Sequence, residues 1–290
     1  MRYEGTIYRP PSEAYSLIIQ HTIGCARNDC TFCSMYKDKS FRIRKPAEVI
    51  ADLVDVRRRC RGPVDKIFLA DGDALIAKTD DLLTVLGAIR QIYPECERVT
   101  SYGAPADILA KSPEELRALY EAGLKMVYVG LESGDDEVLS AVKKGVTAAQ
   151  AVEAGKKLRA SGMKLSLTVI SGLGGRARLK EHAVLSAKCV SEIKPEYLGF
   201  LTLMVIPGTP LYDDVESGRF ELLTAPEVAE EMILFLENVD SEGTVFRSNH
   251  ISNYINLRGT FNRDVPRLIA EVKQVMESEA YKPEFFRQHL

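Results

Sequence analysis

Six short, almost continuously apolar runs recur along the first two thirds of the chain, each followed by a segment with helical periodicity. Residues 16–23, 66–70, 98–102, 126–131, 164–170 and 197–204 read as strands. Residues 46–60, 79–92, a helix opening at Ser112 and ending near Gly123, 147–160 and 178–192 read as the helices between them. Apolar runs that lack period-two alternation belong to strands buried on both faces, the condition of a parallel sheet covered by helices. Pro46 suits a first helical turn, with Ile50, Leu53 and Val54 on one face, and Ser112-Pro-Glu-Glu is a capping sequence. The pattern accommodates either an incomplete barrel or a doubly wound open sheet. We carry forward an α/β fold, a partial (β/α)6 TIM-like barrel of parallel strands over residues 1–206.

Pro207-Gly-Thr-Pro210 breaks the rhythm. Residues 207–290 are expected to form an α-rich extension of the same structural unit, closing over the barrel. It holds helices near 226–238 and 265–277, the second carrying Leu268, Ile269, Val272, Val275 and Met276, and a strand near 244–247. With 290 residues, 46% of them hydrophobic and a net charge of −3, the chain can bury a large core and carries no basic block that would advertise nucleic acid. The first residues lack the apolar stretch of a secretory signal and no run approaches a membrane span, so a cytoplasmic location is expected and no membrane partner. In that compartment thiols stay reduced, which disfavours disulfide pairing of the cysteines.

Three of the six cysteines fall within nine residues, in Cys25-Ala-Arg-Asn-Asp-Cys30-Thr-Phe-Cys33, directly after the first strand. Soft thiolates select zinc, copper(I) or iron–sulfur clusters. Structural zinc sites are closed by four protein ligands, and here a second C-x-x-C pair is missing. His21 is the available fourth ligand, but it ends a buried strand. The C-x4-C-x2-C spacing also matches the first three ligands of plant-type ferredoxins, with Cys60 as a nominal fourth. However, Cys60 ends a predicted helix one full β/α step away, and the flanks are not those of a compact β-rich domain. Cys96 and Cys189 are isolated and read as small buried hydrophobes. Three thiolates on a 4Fe–4S cluster leave one iron open, and loops at the C-terminal ends of barrel strands are where active sites are built.

With this motif in this place, the chain resembles the radical S-adenosylmethionine (radical SAM) superfamily, in the branch of oxygen-independent coproporphyrinogen oxidase and elongator-type domains. Four signatures carry the resemblance: the variant cysteine motif with Phe32 before its third cysteine; Ala70-Asp-Gly-Asp-Ala-Leu75; Val129-Gly-Leu-Glu-Ser-Gly134 with Lys144-Gly145; and Thr168-Val-Ile-Ser-Gly-Leu-Gly-Gly175. The resemblance implies a 4Fe–4S cluster on Cys25, Cys30 and Cys33, with S-adenosyl-L-methionine bound at the open iron. Phe32, Gly72, Asp73, Glu132, Ser133, Lys144 and Gly172 would be its cofactor contacts: Gly72-Asp73 at the methionyl ammonium, Glu132 at the ribose or methionyl part, Gly172 beside the adenine. It implies reductive cleavage of SAM to methionine and a 5′-deoxyadenosyl radical that abstracts a substrate hydrogen, with an external flavodoxin- or ferredoxin-like one-electron reductant. The net reaction is left among oxidoreductase, lyase and transferase, and no catalytic acid or base is assigned.

The charge balance and the lack of appended modules favour a small-molecule substrate. Arg42 and Arg44, just after the cysteines, suit a carboxylate or phosphate. Arg176, with Glu181 and His182, and the polar run holding Arg247, Asn249, His250 and Asn253 are the other substrate candidates. Two other classes stay open on the residues alone. One is an iron–sulfur electron-transfer or sensing protein without SAM cleavage; the other is a zinc-stabilised metabolite-binding barrel.

Overall fold

The apolar runs become strands because each can bury both faces while its backbone groups pair with neighbours on either side. A computed structural model describes residues 3–60 and 62–287. It is an α/β fold of the expected partial TIM-like class, with eight strands in a mostly parallel sheet. The chain divides into two compact units. The first holds residues up to Asn28, Met35–Val129 and Lys156–Leu165; the second holds Asp29–Ser34, Gly130–Gly155 and the chain from Ser166 onward.

In the first unit β1 (Leu17–Gln20) is followed by two short strands, β2 (Thr22–Ile23) and β3 (Arg42–Ile43), then by α1 (Pro46–Arg59) and β4 (Lys66–Ala70). Next come α2 (Thr79–Ile92), β5 (Arg98–Tyr102), α3 (Pro105–Ala110), α4 (Pro113–Ala122) and β6 (Leu124–Glu132), whose end from Gly130 belongs to the second unit. Strand β4 pairs in parallel with both β1 and β5, with Ile67 opposite Leu17 and Val99, and Ile67 to Ala70 are fully buried. The strand expected over 16–23 ends early. At His21 the chain leaves the parallel ladder, and Thr22–Ile23 pairs antiparallel with β3 instead. Helix α1 buries Leu53, as expected, together with Val49, while Ile50 and Val54 beside them are half-buried. Helix α4 has the anticipated capping box between Ser112 and Glu115 and stops at Gly123, whose φ of 124° removes the chain from helical geometry.

In the second unit α5 (Asp136–Ala141) follows β6. Then come α6 (Ala148–Ala160) and β7 (Lys164–Ser171), whose residues in Lys156–Leu165 belong to the first unit, and α7 (Leu179–Ile193), β8 (Tyr197–Thr202), α8 (Pro210–Glu216), α9 (Ala225–Asn238), β9 (Val245–Arg247), β10 (Arg258–Thr260) and α10 (Val265–Ser278). Strands β7 and β8 run parallel from Ser166–Tyr197 to Ser171–Thr202. The extension is more than helical: β9 continues the sheet parallel to β8, and β10 returns antiparallel to β9. Phe200 on β8, Phe235 on α9, Phe246 on β9 and Phe261 stack in pairs with ring centroids 4.9–6.2 Å apart. This shared aromatic core makes the extension and β8 one packing unit; deleting one such ring typically costs about 3–5 kcal/mol. Among the described residues no helix is long and apolar enough to cross a membrane.

Candidate active site: the cysteine loop and the turns after the strands

The first unit prepares the start of the cysteine loop. Asp71 follows β4 and is wholly buried, and its Oδ2 accepts hydrogen bonds from Gly24 N (3.0 Å), Gln20 Nε2 (3.1 Å) and Lys39 Nζ (2.8 Å). A buried carboxylate needs such donors and a cation to remain ionised. Gly72 N donates to Gly24 O at 3.1 Å, so two consecutive residues clamp the residue before Cys25, Asp71 through its carboxylate and Gly72 through its N–H. A Cβ on Gly72 would lie 2.9 Å from the Cys25 Cβ and 3.1 Å from the Tyr36 ring, closer than real side chains pack. Glycine is required there by the approach of the cysteine itself. Asn28 and Lys37 complete the turn, Asn28 Nδ2 donating to Tyr36 O at 2.8 Å and Lys37 Nζ to Asn28 O.

Asp73 is 2% exposed and faces inward, where its Oδ1 accepts from Leu75 N at 3.0 Å. Burial, reinforced by a shared hydrogen bond with the Asp107 carboxyl, pushes its acid well above the usual carboxylate range. Asp107, Thr79, Lys111 and Glu115 line a pocket of about 280 Å³ next to this pair. Lys111 Nζ is turned to Ala77 O and Thr79 Oγ1.

The second unit fixes the other end of the loop. Thr31 N donates to Val142 O (3.1 Å), and Leu211 N donates to Thr31 O (3.1 Å). Phe32 packs on Val138, Val142, Leu173, Leu203 and Leu211, which makes it an anchor for the backbone between Cys30 and Cys33. Cys30 Sγ lies 3.9 Å from the carbonyl of Lys143, and Cys33 N donates to Cys30 O at 3.3 Å.

Strand β6 ends with Glu132 at φ 62°, a left-handed conformation that costs a non-glycine residue about 1 kcal/mol or more. It aims the carboxylate back over Gly130, where Lys144 Nζ donates to it at 2.8 Å. A Cβ on Gly130 would stand 1.8 Å from Glu132 Oε1 and 2.9 Å from Lys144 Nζ. Gly130 therefore makes room for this ion pair. Ser133 is buried beneath it, and its Oγ lies 2.8 Å from His182 Nδ1. Gly172, at φ 81°, begins the turn after β7 and donates its N–H to Glu231 Oε2 at 2.8 Å.

The substrate candidates fall in several places. Arg44 is ion-paired with Asp52 (2.8 Å) and also donates to Gln20 O, while Arg42 contacts Glu4 and lies 3.9 Å from Glu48. Arg176 is held by Glu227 (2.7 Å) and Glu221 (3.0 Å). Arg247 donates to Phe246 O, Asn249 is exposed, and His250 Nδ1 is 2.8 Å from Ser252 Oγ. Asn253 is buried, donating to Phe200 O at 2.8 Å and accepting from Thr202 Oγ1 at 2.9 Å. The polar density of this run thus includes hydrogen bonds that fasten it to the end of β8.

The donor set suits an iron–sulfur cluster. Cys25, Cys30 and Cys33 are half-buried and none of the six cysteines is disulfide-bonded. Among the described residues no three His, Cys, Asp or Glu side chains converge on a single ion position. In a cubane each thiolate takes a different iron, so convergence on one point is not required. His21 is fully buried, and burial lowers its imidazole to about pKa 4.

Sequence reasoning missed Asp71, Gln20 and Lys39, which fix the loop, and the Glu231 side chain behind the turn after β7; it named His182 as a substrate candidate, whereas that side chain is buried against Ser133 behind the turn after β6. Asp71 had a signal, an acidic residue directly after a buried strand. Glu231 had none, since a glutamate in mid-helix reads as solvent-facing.

The Radical SAM superfamily model matches residues 19–179. The heme chaperone HemW of Bacillus subtilis is 22% identical over 190 residues, covering 65% of this chain and 49% of that protein; the chain spans about half the length of this curated relative. Solved structures with the same fold include an N-terminally deleted Elp3 from the archaeon Methanocaldococcus infernus (TM-score 0.54, 16% identity, 93% of this chain and 65% of that one). Others are methylornithine synthase, PylB (0.52, 16%, 92% and 82%), and coproporphyrinogen III oxidase, HemN, of Escherichia coli (0.56, 16%, 77% and 52%).

Proposed function

Because this chain belongs to the radical SAM superfamily, we propose that it is an enzyme that reductively cleaves S-adenosylmethionine and directs the resulting radical at a small-molecule substrate. The observation that carries this reading is the loop of three thiols after β1, one short of a closed metal site, with shaped turns after β4, β6 and β7. When bound, a 4Fe–4S cluster on Cys25, Cys30 and Cys33 would supply an electron and an open iron for the methionyl amine and carboxylate, breaking the sulfonium C–S bond to give methionine and a 5′-deoxyadenosyl radical.

The chain's own residues would hold and orient the reactants. Asp71 and Gly72 keep the backbone at Cys25 in place. Glu132, poised beside Lys144, would accept hydrogen bonds from ribose hydroxyls or the ammonium. Gly172 lets backbone approach the flat adenine, since it has no side chain to intervene. Residues 1–206 would form the catalytic core, with 207–290 closing over it, and a flavodoxin- or ferredoxin-like protein would deliver electrons.

Anaerobic reconstitution with iron and sulfide, followed by dithionite and SAM, tests the reading. Release of 5′-deoxyadenosine is expected, and Cys30→Ala should lose cluster iron while remaining folded. Purification with stoichiometric zinc and no iron–sulfur absorbance would sink the proposal. Gly130→Ala should retain the cluster yet weaken SAM binding about tenfold or more, roughly 1.4 kcal/mol, because the added methyl displaces Glu132. Equilibrium dialysis with labelled SAM measures that loss.

A further inference from the structure

Behind the turns after β6 and β7 lies a set of buried polar side chains that the proposed chemistry does not employ. His182 sits in the first turn of α7 and Glu231 in the middle of α9, both wholly enclosed. Each makes hydrogen bonds to one turn. His182 Nδ1 meets Ser133 Oγ at 2.8 Å, and that oxygen also accepts from Asp135 N at 3.0 Å. Glu231 Oε2 accepts from Gly172 N at 2.8 Å and from the Ser171 hydroxyl. The two remaining atoms, His182 Nε2 and Glu231 Oε1, have no hydrogen-bond partner among the described residues and stand 4.0 Å apart. That separation is about 1 Å beyond a hydrogen bond, within reach of a small side-chain adjustment.

The surroundings decide the charge. The nearby arginines are committed: Arg178 to Asp135 and Glu137, and Arg176 to Glu227 and Glu221. Besides Glu231, the groups facing the imidazole are Ser133, the Ile170 carbonyl and the Asp135 carboxylate. Glu231 faces the Ser171 hydroxyl and the Gly172 N–H. A carboxylate this deep without a cation is disfavoured, whereas a carboxylic acid can remain and donate.

We propose that Glu231 and His182 form a neutral dyad, with the acid proton on Glu231 Oε1 directed at His182 Nε2 and the imidazole proton on Nδ1 toward Ser133. Through it, Glu231 acts as a positioning residue that holds the turns at Ser133 and Gly172 in their SAM-binding shape. The positioning claim rests on the radical SAM reading of those turns; the dyad itself does not. In keeping with the geometry, burial lifts the Glu231 acid to about 7 and lowers His182 to about 4, the latter against the pull of Asp135. Ionisation of Glu231 above neutrality would strand an anion in the core and loosen both turns.

Glu231→Gln provides the test, because its amide keeps an acceptor for Gly172 and a donor toward His182 but cannot ionise. With cluster-loaded protein held anaerobically, the Tm and the SAM dissociation constant are measured at pH 6 and pH 8. The wild type should lose Tm and weaken SAM binding about tenfold over that range, as the competent fraction falls through a pKa near 7. The variant should not lose Tm over that range. Its binding should change only as far as titration of SAM's own amine requires, which is common to both proteins. Parallel profiles in the two proteins would overturn the dyad. Diverging Tm profiles with identical pH dependence of SAM affinity would overturn the positioning role. Diverging Tm profiles with no SAM binding by either protein would uphold the dyad and remove the radical SAM reading of the turns.

Discussion

Asp71 and Glu231 are both wholly buried carboxyl groups that brace a turn at the end of parallel strands, and each leaves one oxygen without a hydrogen-bond partner. They differ in company. Asp71 receives the Lys39 ammonium at 2.8 Å together with two neutral donors, whereas Glu231 receives only an N–H and a hydroxyl, with a neutral imidazole beyond. The comparison shows two ways of holding a backbone turn from within a low-dielectric core. A compensated anion grips strongly, provided its cation is present. An uncompensated acid grips only while it keeps its proton.

The largest expected effect comes from breaking the compensated side. Asp71→Ala strands the Lys39 ammonium and frees Gly24 and Gln20, so a loss of about 3–5 kcal/mol is expected in urea unfolding. A loss under 1 kcal/mol would mean that Lys39 finds water or another acceptor at no cost, and the contrast would collapse. Glu231→Ala should cost less, about 1–3 kcal/mol at pH 6, because it leaves neutral donors rather than a charge unpaired.

The pH dependence sharpens the same contrast. The folded Glu231 acid is raised from 4.5 to about 7, so its contribution is complete below pH 4.5 and disappears as pH rises through 7. His182 is lowered from 6.5 to about 4, so its contribution is complete above pH 6.5 and disappears as pH falls through 4. From these two groups, stability measured by denaturant titration should be highest across the overlap from pH 4.5 to 6.5, and Glu231→Gln should remove the fall toward pH 7. The smallest effect belongs to the surface. Arg176→Ala removes a half-exposed guanidinium from Glu227 and Glu221 and should change stability by less than about 1 kcal/mol. A larger loss would show that the turn after β7 is held from the outside as well.

Much of the fold was legible because the parallel strands are apolar on both faces, a pattern that survives without any partner being specified. Lys66–Ala70 and Arg98–Tyr102 were bounded correctly to the residue. The short antiparallel pair β2 and β3, by contrast, has no hydrophobic period; it exists because His21 leaves the ladder and Arg42–Ile43 happens to lie alongside. Strand β9 was expected near 244–247 and aligns on the edge of β8, but β10, with three residues, is too short for a pattern and is defined by the edge of β9 on which it aligns. At the site, the cysteines and the glycines at 72 and 172 announced themselves by residue type, whereas the need for Gly130 showed only once Glu132 and Lys144 were seen to fill the space beside it. Asn253 and Ser133 also stood out as polar, but the structure gives both buried hydrogen bonds within the protein, a distinction that depends on which backbone groups reach them.

What the sequence determined by itself was therefore chemistry and periodicity: three soft ligands in one loop, an alternation that permits only a helix-covered parallel sheet, and glycines where backbone must come close. These are local properties, carried by side-chain type and spacing. Tertiary structure decided which carboxylate meets a cation and which meets an imidazole. Asp71 and Lys39 are 32 residues apart, Ser171 and Glu231 are 60 apart, and the burial and neighbours of each acid are set by contacts that chain order does not encode.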